Sequence, residues 1–322
     1  MPRRFINQLG EREELDDVFL ASEKQLRPNR NGNLYLQMRL SDRTGVVNAM
    51  MWNANDRLYQ SFDNGDYVRV QGSTQVYNGN LQIIITSIDP AELRDVDETD
   101  FIHLTQERRN QMVNGLTNLL RRIGNDPLKA LAMAFLEDAA FMEKFTAAPA
   151  GIKNHHAYPG GLLEHVYSLL RLIEAVTPFY PSVDVDLLLM GGFLHDVGKI
   201  DELTYDRALG YSDEGQLVGH LVQGVSILER KLAEMDQQSS EPFPQDLAMH
   251  LKHMIVSHHG KLEFGSPKVP MTLEATLLNY LDDMDAKLHS FEQLMREDAN
   301  VDSPWTVYHP QLGRKLFKPT IA

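Results

Sequence analysis

A series of histidines and aspartates, spaced so that each falls on a different helical stretch, limits what this chain can fold into more than any other feature. Leu162, Val166, Leu169, Ile173 and Val176 recur at steps of three and four, which predicts a helix over Gly161 to Val176 carrying His165. The same periodicity predicts helices over Leu187 to Leu194, Val218 to Met235, Leu247 to Ser257 and Leu273 to Met295. His195-Asp196 ends the second of these, His220 starts the third and His258-His259-Gly260 ends the fourth. Leu281-Asp282-Asp283-Met284-Asp285-Ala286-Lys287 lies inside the fifth. Alone, a helical histidine is ordinarily a surface or hydrogen-bonded core residue. One ligand or pair per helix is different, because facing side chains of a helical bundle converge on its interior.

The chain contains no cysteine. Disulfides, thiolate metal sites and thiol nucleophiles are excluded together, so a transition metal here must be held by imidazole and carboxylate. That donor set suits Mn²⁺, Fe²⁺, Co²⁺, Ni²⁺ or Zn²⁺ better than a site for Mg²⁺ alone. Asp196, next to His195, has two oxygens and can bridge two cations. Two divalent ions about 3.5–4 Å apart activate a shared water and stabilise both the attacking and leaving oxygens at phosphorus.

Ahead of the helices the pattern changes. Val18-Phe19-Leu20, Leu34 to Leu40, Val46 to Trp52, Tyr67 to Gly72 and Leu81 to Ile85 read as short strands, with turns at Asn31-Gly32-Asn33, Asp42 to Gly45 and Tyr77 to Asn80. Leu34, Leu36, Met38 and Leu40 share one face. Five strands with a weak helical insert near Asp56 to Phe62 predict a small Greek-key barrel, the OB-fold. The net charge of −14 excludes adhesion to nucleic acid over the whole surface, but Lys24 to Arg43 holds Lys24, Arg27, Arg30, Arg39 and Arg43 against Asp42 alone. Such barrels bind single strands through a basic face and stacking aromatics. Arg27, Arg30, Arg39, Arg43 and Arg69 are the candidates to track phosphate, and Tyr35, Trp52 and Tyr77 to stack bases. Tyr35 and Trp52 would serve equally well as barrel core.

The expected organisation is multidomain α and β: an OB-fold barrel over 1–95, a helical connector over 96–150, an all-α helical bundle over 151–300 and a tail over 301–322. Leu104 to Phe145 reads as two helices broken at Asp126-Pro127, packing as a bridge between domains. The tail, with Arg314, Lys315 and Lys318 among aromatics, is expected to return near the helical site. No apolar run approaches the roughly 20 residues that span a bilayer, and the polar N-terminus lacks the apolar stretch of a signal peptide; a cytoplasmic protein is expected. His103, His250, His253, His289 and His309 read as surface or non-ligand histidines.

Taken in order, H…HD…H…HH…D over Asn154 to Ala286 resembles the HD-domain metal phosphohydrolases. The resemblance implies that His165, His195, Asp196 and Asp282 hold one ion and that Asp196, His220 and His258 serve a second. His259 is then a ligand or an orienter of substrate. Asp285, one turn beyond Asp282, is a support or a substrate contact, and Asp196 and Lys199 carry the catalysis, Lys199 approaching the substrate phosphate. His155 and His156 would touch phosphate or shape the helix entry. An OB-like module ahead of such a domain resembles the YhaM family of 3′–5′ exoribonucleases. The strings His155 to Leu162, Ser257 to Pro267 and Leu316-Phe317-Lys318-Pro319 carry that likeness over almost the whole chain. It implies release of nucleoside 5′-monophosphates from single-stranded RNA, with DNA a lesser substrate, through water activated by one or two ions, Mn²⁺ foremost. A homo-oligomer is compatible with it. Two other readings stay open: a phosphohydrolase of small or cyclic nucleotides with a regulatory barrel, and a non-catalytic nucleic-acid-binding protein with a structural metal site.

Overall fold

The structure is a computed structural model that describes residues 3–318 apart from 78–79, 93, 95, 102–103, 153–156, 206–208, 297, 299, 301–302 and 311. The chain divides into two compact units, Met1–His103 with Ser290–Ala322, and Leu104–His289.

In the first unit, β1 (Glu14–Pro28), β2 (Leu34–Asp42), β3 (Gly45–Trp52), β4 (Tyr67–Tyr77) and β5 (Asn80–Pro90) close into a barrel in the order β1-β2-β3-β5-β4. The predicted OB-fold architecture is present, and the short helix α1 (Asp56–Tyr59) lies where the insert was expected. β1 is longer than its apolar triplet suggested, because it serves two neighbours. Glu14 to Leu20 pair with β4, and Leu20 to Pro28 pair with β2. The register shifts between Ser22 and Gln25, where Glu23 takes a positive φ of 50°, and this bulge lets one strand bend around the barrel. Alternation then sorts the side chains. Phe19, Leu36, Met38, Leu40, Val68, Val70 and Ile83 fill the interior, while Leu34 at the strand's start is only half-buried.

The second unit is helical: α2 (Gln106–Arg121), α3 (Asp126–Leu136), α4 (Ala139–Ala147), α5 (Gly161–Val176), α6 (Val185–Leu194), α7 (Lys199–Glu202), α8 (Asp213–Val218), α9 (His220–Gln238), α10 (Gln245–Ser257) and α11 (Leu273–Arg296), the last running past the unit boundary. A two-stranded hairpin pairs Leu203–Thr204 with Gly210–Tyr211.

Where two helices were expected over Leu104 to Phe145, three form. Asn125 caps α3, whose first turn accepts Pro127 because that turn needs no backbone donor there, and Asp138 caps α4 through Phe141 N. Nor is this segment merely a bridge. Met112, Leu116, Leu128, Phe135 and Phe145 belong to the same core as α5, α6 and α10. Phe135, Phe141 and Phe145 ring Phe193 at centroid distances of 5.9, 6.2 and 5.4 Å, two residues before His195. The tail 303–318 groups with the barrel unit rather than with the helical one, and it is closed on itself by pairs such as Trp305 with Phe317 and Asp298 with Lys318.

Candidate metal centre

Three helix ends and two helix faces bring the ligand candidates together. His165 lies on the buried stripe of α5. α6 is apolar on every side, so it is enclosed, and it delivers His195 and Asp196 from its C-terminal end into the interior. Gly219, at φ +78°, breaks α8 from α9 so that His220 opens a new helix. His258 caps α10, and Asp282 lies half-buried on α11.

The geometry centres on Asp196, which is only 2% exposed. Its Oδ2 lies 3.4 Å from His195 Nε2 and 3.7 Å from His165 Nε2. Its Oδ1 lies 3.4 Å from His258 Nε2 and 3.7 Å from His220 Nε2. Around the first oxygen, Asp282 Oδ1 is 3.2 Å from His165 Nε2 and 3.8 Å from His195 Nε2. Around the second, His259 Nε2 is 3.2 Å from His220 Nε2. Three overlapping sets of donors result: His165, His195 and Asp282; His195, Asp196 and His258; His220, His258 and His259.

Proton placement decides what these sets can hold. His195, His258 and His259 direct Nδ1 at the carbonyl oxygens of Gly192, Ile255 and Phe264, at 2.8, 2.8 and 2.9 Å. A carbonyl only accepts, so Nδ1 donates, and each neutral ring turns an Nε2 lone pair inward. Burial keeps His258 and His259 neutral by pushing both below the usual histidine range. His165 and His195 then face each other, Nε2 to Nε2, at 3.2 Å. Asp196 Oδ1 is sealed from solvent and, among the described residues, no hydrogen-bond donor is aimed at it. Lone pairs and an orphaned carboxylate oxygen converging on one another are the donor set of a cation site, and the imidazole–carboxylate chemistry fits divalent transition ions.

The outer nitrogens are also fixed. His220 Nδ1 is 3.0 Å from Glu202 Oε1, which also accepts from the His220 backbone N–H. His165 Nδ1 is 3.4 Å from Asp285 Oδ2. Asp285 is buried behind His165 and braces this ligand candidate from its far side, the supporting place expected of it. Burial opposes charging His165, but Asp282 and Asp285 outweigh it and raise its pKa to about 9. Burial likewise works against the Asp196 carboxylate, yet Lys199 and His195 hold it well below the usual range. Lys199 Nζ donates to Asp196 Oδ2 at 2.6 Å, and this partner keeps the amine charged despite burial.

Glu202 was missed from sequence, as was Asn279, whose Nδ2 donates to His258 O at 2.6 Å. Neither has a spacing signal; both look like ordinary polar helix residues. His156, with His155 and His103, lies outside the described residues. His253 accepts from Met271 N–H at 2.9 Å and His250 turns to Asp246, so neither joins the cluster.

On the barrel, Tyr35 and Trp52 pair across β2 and β3 with ring centroids 5.5 Å apart. Trp52 is 48% exposed and Tyr77 61%, so these aromatics are outer-face residues rather than core. The basic track is less free than its charge suggested. Lys24 is buried, its amine on the carbonyls of Tyr59 and Phe62. Arg39 pairs with Glu23 at 3.3 Å, and Arg69 with Asp16 at 2.7 Å. Arg43 keeps an exposed side chain. It sits in the β2–β3 turn, at the far end of β2 from Tyr35, held by Asp100 at 3.9 Å and stacked over Phe5. Arg27 bonds Gln25, and Arg30 is exposed in the β1–β2 turn.

Comparison with known proteins agrees with both halves. Residues 21–91 match the family described as OB-fold nucleic acid binding domain, and residues 162–287 match the HD domain. The chain is 32% identical over 311 residues to 3′–5′ exoribonuclease YhaM of Bacillus subtilis (strain 168), covering 96% of each protein. Against 3′–5′ exoribonuclease YhaM of Bacillus pumilus (strain SAFR-032) it is 30% identical over 313 residues, covering 97% of this chain and 96% of the other. At that identity, over nearly the full length of both partners, the chain belongs to the YhaM family of 3′–5′ exoribonucleases.

Proposed function

We propose that this protein removes nucleotides from the 3′ end of single-stranded RNA by metal-dependent hydrolysis, releasing nucleoside 5′-monophosphates in the cytoplasm. The observation that carries the proposal is the division of Asp196, with one oxygen toward His165 and His195 and the other toward His220 and His258. In this reading His165, His195 and Asp282 hold one ion, His220, His258 and His259 a second, and Asp196 lies between them. Mn²⁺ is the first choice for both. When bound, two such ions lower the pKa of water and offset charge gathering at phosphorus.

The side chains divide the remaining work. Lys199, already charged and buried against Asp196, places its ammonium where the substrate phosphate develops charge. Glu202 and Asp285 hold the rings of His220 and His165 in register, which fixes both tautomer and direction. On the barrel, Tyr35 and Trp52 stack bases without regard to sequence, and Arg27 and Arg30 track phosphate, keeping the strand near the hydrolytic site. RNA ahead of DNA follows the names of the relatives.

The test is a time course on 5′-labelled single-stranded RNA with Mn²⁺. The proposal expects a ladder shortening from the 3′ end, stopped by chelator. Internal fragments, or inert RNA alongside turnover of mononucleotides or cyclic nucleotides, would contradict it.

A further inference from the structure

The outer face of the barrel holds a groove of about 340 Å³ lined by Gln37, Asn48, Met50, Tyr77, Leu81 and Gln82, with Asn80 at its rim. Its composition differs from that of an electrostatic channel. No Arg, Lys, Asp or Glu lines it; the neighbouring Arg39, which pairs across the ladder with Asn48, is turned to Glu23. Three amides converge instead. Asn48 stands opposite Gln82 on β5, and Gln37 stands opposite Met50, diagonal to Asn48, so the three gather on neighbouring positions of β2, β3 and β5. Among the described residues no hydrogen bond engages the side-chain amides of Gln37, Asn48 and Gln82, and none of these amide atoms is sealed from solvent. Amides open to solvent and not engaged within the chain are free to exchange their water for the polar edge of a ligand. Met50 and Leu81 supply an apolar floor, and Tyr77 an exposed ring at the edge.

We propose that this groove is a base-reading subsite that takes adenine from a single strand. An amide offers a donor and an acceptor side by side, which answers the N6 amine and N7 of adenine. Arginine and lysine would select guanine and carboxylates cytosine, and the groove has neither. A base in the groove has its faces against Met50, Leu81 and Tyr77 while its edge meets the amides. Tyr35 and Trp52, on the same outer face of β2 and β3, stack the neighbouring bases without discrimination. The barrel thus combines a sequence-tolerant step with a selective one. This inference rests on the strand-binding reading of the barrel given above.

Anisotropy of the full-length protein with labelled oligo(A), oligo(U) and oligo(C), in chelator so that nothing is cleaved, tests it. The expected result is oligo(A) bound tighter than either pyrimidine oligomer by at least about fivefold, the lower end for one bidentate amide–base pair. Asn48→Ala and Gln37→Ala, both on strand faces outside the core, should each shrink that ratio towards one, while Trp52→Ala weakens all three oligomers alike. Equal affinities in the wild type, or amide variants that weaken all three in proportion, would overturn the adenine subsite and leave strand binding intact. Failure of all three oligomers to bind would overturn the strand-binding reading itself.

Discussion

At the scale of single residues, the centre depends on carboxylates that touch no substrate. Glu202 accepts from both the backbone and the ring of His220 at 3.0 Å, so it fixes the one candidate ligand that opens a helix. Glu202→Gln keeps the shape but weakens that hold. Calorimetric titration with Mn²⁺ should show one of two binding events weakened about 10–100-fold, with the other unchanged. His165 gives a pH signature of definite sign. Its pKa stands at about 9 in the metal-free fold against an ordinary 6.5, because Asp282 and Asp285 outweigh burial. The proton therefore stabilises the metal-free protein fully below pH 6.5, and that contribution is lost as pH climbs through 9. Metal affinity runs the other way, since binding must expel this proton. Between pH 6.5 and 9 it should rise about tenfold per unit, as titrations in a series of buffers would show.

At the scale of elements, the centre is assembled by close approach of loops. A Cβ on Gly198 would lie 2.0 Å from His220 O and 2.7 Å from Gly224 N, so the turn after Asp196 and the start of α9 can touch only through a glycine. Gly198→Ala is expected to cost about 1–3 kcal/mol and to displace His220, read as a lower melting temperature together with lost metal binding. The helices that carry the ligand candidates were legible because apolar runs and periods mark them out and a histidine or aspartate falls on or beside each. His165 falls on the same stripe as Leu162, Val166 and Leu169. The packing of α2 to α4 was not legible. Periodicity shows that Met112, Leu116 and Phe135 are buried but not against what, and only the fold reveals Phe193 as their partner. Glu202 escaped for a related reason: its value lies in facing His220, 18 residues away, with no spacing rule to announce it.

At the scale of the whole molecule, a barrel that holds a strand is joined to a helical unit that cuts it. The five-stranded barrel could be read from alternation and turn residues, because Leu36, Met38 and Leu40 face inward while Tyr35 and Gln37 face out. The strength of its basic face could not. Lys24, Arg39, Arg43 and Arg69 meet Asp63, Glu23, Asp100 and Asp16, every one of them remote in sequence. Stacking should therefore contribute more than charge to holding RNA. Trp52→Ala is expected to raise KM about fivefold or more while leaving kcat unchanged, measured by steady-state RNA turnover. Hydrolysis would depend on two ions, one held by the donors on each side of Asp196. The most direct measurement is the rate of 3′-end shortening of labelled RNA as Mn²⁺ is added stepwise to metal-free protein, for wild type and Asp196→Ala. The expected result is a rate that saturates at two ions per chain and is abolished in the variant; saturation at one ion, or cleavage that survives the loss of Asp196, would contradict the account.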